Sequence, residues 1–208
     1  IEWLPGTIAG SLSRPGDLDY YQFSAREGQQ LVLESVSAQI GSQITPMFTV
    51  LDAQGEVVAR SRLEPGRRDP VLGFTAPQSG KYLLLVGDYE QRGGRNFFYR
   101  VAVGEFPYVT SVFPLGVGKG SSELEVSGYN LGGVRKVKVE APERGYWGET
   151  LKWRLQTPRG AAMNQVRLAV GGYREVFEQE PNNSPDRAQP VAPGVTVNGR
   201  IAPPSAQE

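Results

Sequence analysis

The chain has 208 residues with 22 basic and 22 acidic side chains, many glycines and prolines, and no cysteine or histidine. Its even charge disfavours a nucleic-acid partner, and the missing residue types exclude disulfides, Ser-His-Asp and Cys-His catalysis and the usual transition-metal sites. Any bound metal would therefore be a hard ion held by oxygen ligands, of which calcium is the natural candidate.

Short segments with the period-2 alternation of β-strands follow one another from residue 7 to residue 103. The predicted strands lie at 7–12, 20–23, 30–36, 47–51, 71–74, 81–87 and 96–103, with a further strand starting near Val57. Asp52 to Gly55 form a predicted tight hairpin loop in which Gly55 can take a positive φ. Roughly eight strands without a helical apolar stripe predict an antiparallel sandwich or jelly roll.

Five blocks of this region resemble, in the same order, the bacterial pre-peptidase C-terminal domain, a small β-sandwich appended to secreted proteins. The blocks are GDLDYYQF at 16–23, EGQQL at 27–31, LDAQG at 51–55, FTAP at 74–77 and SGKYL at 79–83. The resemblance implies a jelly-roll-like sandwich over residues 1–104. It also implies a secreted, periplasmic or cell-surface location. This expectation rests on the resemblance alone, because the sequence itself contains no signal-peptide pattern.

A second pattern begins after Gly104 and resembles the opening of an immunoglobulin-like domain of the IPT/TIG type. The matching segments are PYVTSVFPLG at 107–116, Gly120 and LEVSGYNL at 124–131. Clean alternation continues through Val137 and Val139, then through Leu151, Trp153 and Leu155, and then through 166–170. One apolar and one charged face are typical of a half-exposed antiparallel sheet. We therefore predict a second β-sandwich over residues 105–175, with Trp153 facing inward.

Residues 176–208 are predicted to be a linker followed by the beginning of a second repeat. The linker contains EQEPNNSPD at 178–186. After it, four residues repeat the order and spacing seen near the start of the chain: Thr196, Val197, Gly199 and Ile201 correspond to Thr7, Ile8, Gly10 and Leu12. A period of roughly 190 residues is far longer than that of solenoid repeats and predicts a tandem array of whole domains.

The pre-peptidase resemblance implies a calcium site that is divided between two repeats. Calcium-binding members combine an acidic opening segment with the later Gly-Asp-x-Asp turn. By position, the candidate ligands are Glu178, Glu180, Asn182 and Asn183 of one repeat, and Asp17 and Asp19 of the other. Carboxylate and amide oxygens suit calcium. The alternative is that Asp17 and Asp19 cap a turn and that the acidic segment is a solvated linker.

Exposed aromatic residues offer a second kind of site. Tyr146 and Trp147, between two glycines, are candidates for stacking against a sugar ring or a peptide side chain, although such residues more often belong to cores or cross-strand pairs. No carboxylate pair is flanked by a recognisable catalytic site. We predict a non-catalytic module of a larger bacterial protein, for adhesion, spacing or substrate binding, whose partners are neighbouring domains. The alternatives are a domain that binds carbohydrate or a matrix polymer and, third, an enzyme.

Overall fold

The structure is a computed structural model, which describes residues 4–64, 66–118, 120–141 and 148–200. The chain divides into two compact units, residues 1–106 and residues 107–208. The described residues contain β-strands, two single-turn 3₁₀ helices and no α-helix. The predicted all-β fold class is therefore confirmed. In the same residues, none of the helices has the length and apolar character needed to cross a membrane.

In unit 1, residues 1–106, the described part of the chain forms eight strands. They are β1 (Gly6–Ser11), β2 (Leu18–Ala25), β3 (Gln30–Ser35), β4 (Pro46–Leu51), β5 (Val57–Arg60), β6 (Val71–Thr75), β7 (Gly80–Asp88) and β8 (Phe98–Gly104), with the 3₁₀ helix η1 (Ala38–Ile40) after β3. Two four-stranded antiparallel sheets result, in the orders β1-β8-β3-β6 and β2-β7-β4-β5. The predicted segments thus become the strands of a sandwich.

The core of unit 1 is built from alternate residues of both sheets. Phe23 stacks on Tyr82 with ring centroids 5.7 Å apart, and Phe74 meets Tyr82 edge-on at 5.1 Å. All three rings are almost fully buried, together with aliphatic residues of β3, β4 and β8. Buried aromatic side chains contribute large apolar areas and stabilising ring contacts. The two sheets are therefore packed against each other through this core.

The hairpin between β4 and β5 has the predicted turn chemistry. Gly55 has a φ of 86°, and its N–H donates to the carbonyl of Asp52 at 3.1 Å. The Asp52 carboxylate accepts hydrogen bonds from the N–H groups of Gln54 and Glu56, both at 2.9 Å. A glycine adopts this left-handed conformation without the strain that a Cβ would cause.

Unit 2, residues 107–208, has its own sheets. Its strands are β9 (Tyr108–Phe113), β10 (Gly116–Val117), β11 (Ser121–Tyr129), β12 (Lys136–Glu140), β13 (Thr150–Trp153), β14 (Gln156–Thr157), β15 (Gly160–Ala161), β16 (Val166–Val170), β17 (Arg174–Phe177) and β18 (Val195–Asn198), with the 3₁₀ helix η2 (Pro185–Arg187). The sheet orders are β12-β11-β9 and β10-β16-β13, and β14-β15 and β17-β18 form two-stranded ribbons.

The core of unit 2 lies between its two three-stranded sheets. Leu124, Leu155 and Leu168 are fully buried in it, and Trp153 packs against it while partly exposed, as the alternation predicts. The strands β17 and β18 pair in parallel, from Arg174 opposite Val195 to Phe177 opposite Asn198. The acidic segment that the sequence predicts to be a linker is thus the connection between two paired strands.

Candidate functional site

The sheet β2-β7-β4-β5 carries an unusual apolar surface on the side that faces away from the core. On β2, Leu18 and Tyr20 point outward because Phe23 and Ala25, at the other parity, are buried. The cross-strand register then aligns outward residues of β7 and β4 with them. We call the apolar residues of this surface the outer apolar face: Leu18, Tyr20, Met47, Leu51, Leu83 and Leu85. The polar residues Gln22 and Thr49 lie among them on the same side.

The outer apolar face is partly exposed: Leu18 and Tyr20 are exposed, and its other four residues are partly buried. Leu18 is 44% exposed and Tyr20 is 56% exposed, while the leucines of β7 are partly buried. Gly87 lies between Leu18 and Met47 in the register, and a Cβ there would lie 2.8 Å from Leu18 Cδ2. The Leu18 side chain therefore packs directly over the backbone of Gly87. An antiparallel sheet with one solvated face normally alternates apolar and polar residues, so this apolar face needs an explanation.

The sequence analysis missed the outer apolar face. Its signal is the run Tyr82-Leu83-Leu84-Leu85-Val86, which is apolar at five successive positions. Alternation explains only Tyr82, Leu84 and Val86, which point into the core. A strand that is apolar at both parities is typical of sheets covered on both faces. The run could thus have indicated that the second face of this sheet is covered by a binding partner.

Asp17 lies in the turn before β2, where it acts as a capping residue. Its Oδ2 accepts hydrogen bonds from the backbone N–H and the hydroxyl of Ser13, at 2.7 and 3.0 Å. These bonds, the backbone bond foremost, hold the pKa of the Asp17 carboxyl below its ordinary value. Gly16 takes a φ of 77°, as a turn of this kind requires. The turn that the sequence predicts is present.

Asp19 points the other way, into a hydrogen-bonded chain of two tyrosines. The Tyr99 hydroxyl donates to Asp19 Oδ2 at 2.5 Å, and the hydroxyls of Tyr99 and Tyr21 also share a short hydrogen bond. Burial, with the bonds to Asp19 and Tyr21 adding to it, raises the pKa of Tyr99 far above its ordinary value. A Cβ at Gly10 would overlap the Tyr99 hydroxyl, so the glycine of β1 makes room for this network.

The acidic segment of unit 2 brings three of its four predicted ligands together. Asn182 Nδ2 donates to Glu178 Oε1 at 3.1 Å, and the Asn182 backbone N–H donates to Glu180 Oε2 at 3.0 Å. Glu178 Oε2 also accepts the N–H of Arg200 at 2.9 Å, beside Gly199, whose Cβ would lie 2.5 Å away. Asn183 is exposed. The segment is therefore a locally bonded loop.

The calcium site stays a prediction. The oxygen-rich side chains of the acidic segment are of the kind that calcium takes. Among the residues that the structure describes, however, no group of three or more acidic residues is arranged to hold a metal ion. Asp17 and Asp19 belong to unit 1, and Glu178 to Asn183 belong to unit 2. Tyr146 and Trp147, the predicted stacking residues, lie outside the described residues.

No protein-family model and no curated protein matches the chain. Two of the solved structures that resemble part of it each match over 48% of this chain with a TM-score of 0.38. One is the pre-peptidase C-terminal domain of a collagenase from Bacillus anthracis, 22% identical, with 89% of that chain covered. The other is PliG of Aeromonas hydrophila, a periplasmic inhibitor of g-type lysozyme, 24% identical, with 83% covered.

The first of these structures is a domain of the type that the motifs of residues 16–83 indicate. The resemblance of unit 2 to an IPT/TIG domain and the second repeat stay predictions.

Proposed function

We propose that the chain is a non-catalytic binding module of a larger secreted or cell-surface bacterial protein, and that the outer apolar face is its binding surface. The observation that supports this is the partly exposed apolar face, with Leu18 and Tyr20 the most exposed, on a sheet whose other side is already packed. Contiguous exposed apolar patches of this kind are typical of interaction sites. The location outside the cytoplasm rests on the motif resemblance of residues 16–83.

The chemistry of the face favours a polypeptide partner over a polysaccharide. Five of its six residues are aliphatic or methionine, and Tyr20 is its single aromatic ring. Sugars are bound mainly by flat aromatic surfaces together with hydrogen-bonding groups, whereas aliphatic surfaces bind apolar peptide side chains. Adhesion to, or capture of, an extended protein polymer is therefore the proposed role.

The described carboxylates of unit 1 that are most buried have structural partners, which supports a non-catalytic role. Asp69 accepts hydrogen bonds from the N–H groups of Ser37, Ala38 and Gln39, and Asp88 pairs with Arg92. A general acid or base must instead reach a substrate proton. Together with the lack of His and Cys in the sequence, this supports a binding function over catalysis.

The test compares binding of the whole chain with binding of two leucine variants. The probes are gelatin, a collagen-model peptide and an elastin-like polypeptide, with cellulose and chitin as polysaccharides. We expect the chain to bind a polypeptide probe, and Leu18→Ser to weaken that binding about tenfold, because it removes one of the two most exposed apolar side chains of the face. Leu63→Ser is the matched control, since Leu63 is 40% exposed in unit 1 but lies between β5 and β6.

The outcomes separate the three functions. Binding of cellulose or chitin that is lost in Leu18→Ser would replace the polypeptide partner by a polysaccharide. Equal loss in both variants, or no loss in either, would remove the outer apolar face from the function. Turnover of any probe that depends on a residue of this chain would contradict the non-catalytic role.

A further inference from the structure

Unit 2 contains a cavity of about 480 Å³, which the outer side of β11 and β12 forms with β17. The rings of Phe113 and Phe177 line it, with their centroids 5.8 Å apart. Phe177 is 52% exposed, so its ring is accessible to a ligand. Small-molecule sites have volumes of about 300–1,000 Å³ and few, well-placed polar groups. The size and the exposed ring are those of a ligand site.

Two of the carboxylates in this cavity are fixed by ion pairs. Lys136 Nζ lies 2.9 Å from Glu123 Oε1, and a terminal guanidinium nitrogen of Arg200 lies 2.8 Å from Glu125 Oε2. The guanidinium of Arg200 also lies 3.7 Å from the centre of the Phe113 ring, a cation–π contact. The four side chains of these two ion pairs are all more than half exposed, so a ligand in the cavity can reach them.

Arg174 differs from the other cations of the cavity. Within the described residues, no hydrogen bond or ion pair engages its guanidinium, although it lines the same cavity. Its neighbour Glu175 accepts a hydrogen bond from Asn198 Nδ2 at 2.5 Å instead. A guanidinium presents a planar fork that matches a carboxylate through two parallel hydrogen bonds. Arg174 thus lines this cavity, and a second one that β17 forms with the segment before β18, with a guanidinium that has no partner among the described residues.

The strand that carries Arg174 and Phe177 is anchored to the rest of unit 2. A Cβ at Gly118 would overlap the carbonyl oxygen of Tyr173, so the backbones touch immediately before β17. The N–H of Gly171 also donates to the carbonyl of Val117 at 3.0 Å. The start of β17, which lines the cavity, is therefore held against the segment at Val117 and Gly118.

We propose that this cavity binds an acidic sugar, that is, a glycan residue that carries a carboxylate. The sugar carboxylate pairs with Arg174, and the apolar C–H face of the ring packs on Phe177. The sugar hydroxyls donate to Glu123 and Glu125, and the Ser122 hydroxyl is a further partner at the cavity wall. This site lies in unit 2 and shares no residue with the outer apolar face, so its test is independent of the proposed function.

The test measures binding of digalacturonate and of its neutral counterpart, galactobiose, to the whole chain by calorimetry or NMR. A panel of other uronic-acid disaccharides covers different stereochemistry. We expect an acidic disaccharide to bind at least tenfold more tightly than its neutral counterpart. Arg174→Gln should weaken binding of the acidic sugar about tenfold and leave binding of the neutral sugar unchanged, since one charge-assisted pair is lost. Phe177→Leu should weaken both sugars.

Arg187→Gln is the matched control, because Arg187 is an exposed arginine of the same unit in η2 and does not line the cavity. Equal loss in Arg187→Gln would show nonspecific attraction and overturn the proposal. Equal binding of neutral and acidic sugars, or no binding across the panel, would overturn it as well. An acidic tetrapeptide that binds as tightly as the disaccharide, with the same loss in Arg174→Gln, would overturn the sugar assignment.

Discussion

The buried aspartates of unit 1 and the acidic segment of unit 2 use carboxylates in opposite ways. Asp69 and Asp88 are 4% and 3% exposed and accept four and five hydrogen bonds. In the described residues, Glu178 accepts two and Glu180 accepts one, both near the surface. A carboxylate offers about four lone-pair positions. The first pair therefore holds loops together, while the second keeps capacity for a cation.

Removing a saturated carboxylate should give the largest effect. The Asp69 carboxylate binds the Ser35 hydroxyl and the first N–H groups of η1, at 2.8 to 3.1 Å. We expect Asp69→Ala to lower the free energy of unfolding by about 3 kcal/mol, because several buried donors lose their partner. Urea unfolding followed by circular dichroism measures this. Asp52→Ala, at the surface hairpin, should cost only about 1 kcal/mol, and equal costs would contradict the comparison.

The roles of Asp69 and Asp88 could not be predicted from the sequence, whereas the strands could. Alternation at short range fixes which residues of β2, β7 and β13 face a core, and turn chemistry at Asp52 to Gly55 is equally local. Asp69 instead binds groups about thirty residues earlier, and Asp88 binds Thr45, 43 residues away. Contacts of this kind depend on how the strands are assembled.

The same limit applies to the candidate sites. The order of motifs indicates the first sandwich, and the apolar run at 82–86 contains a local signal for the outer apolar face. The cavity of unit 2 has no such signal, because its walls come from positions as distant as Phe113 and Arg200. The hydrogen bond of Asp19 to Tyr99 likewise joins residues 80 positions apart. Only the folded chain brings these groups together.

Lowering the pH should remove the stability that the Asp88 carboxylate contributes, and this effect should be of intermediate size. Burial raises the pKa of Asp88, but the Arg92 side chain and the N–H groups of Thr45 and Arg92 outweigh it and leave the pKa below the ordinary value of 3.8. The ionised carboxylate therefore contributes stability that is complete above the unfolded-state pKa and is lost as the pH falls through the folded-state pKa. Asp88→Asn should lower the free energy of unfolding by about 2 kcal/mol at pH 7.

The difference between the chain and Asp88→Asn should shrink as the pH falls below 3.8, because the wild-type carboxyl is then protonated too. Urea unfolding at several pH values between neutrality and strong acid checks this. Glu56→Gln serves as the control, since Glu56 is exposed at the β4–β5 hairpin and its side chain has no described ion pair. A difference that stays constant with pH would mean that Asp88 acts through packing rather than charge.

Calcium should give the smallest effect, although the acidic segment contains four of the six predicted ligands. A complete site would stabilise the chain by about 2.7 kcal/mol at a hundredfold excess over Kd. The predicted ligands, however, are divided between unit 1 and unit 2 and between two predicted repeats. We therefore expect the melting temperature to rise by far less than a complete site would give when calcium replaces chelator, with magnesium as the control ion.

Glutamine and asparagine substitutions distinguish the possible calcium responses. Glu178→Gln should remove whatever small increase is seen, because it deletes a carboxylate that already lies against Asn182 and Arg200. Asp19→Asn should not change it, since Asp19 is engaged by Tyr99 within unit 1. A full response abolished by both substitutions would mean that the two halves meet in this chain and that our division of the site is wrong. A response that neither substitution alters would show that calcium binds elsewhere, and Asp17, Asp19 and the acidic segment would then be turn and loop residues only.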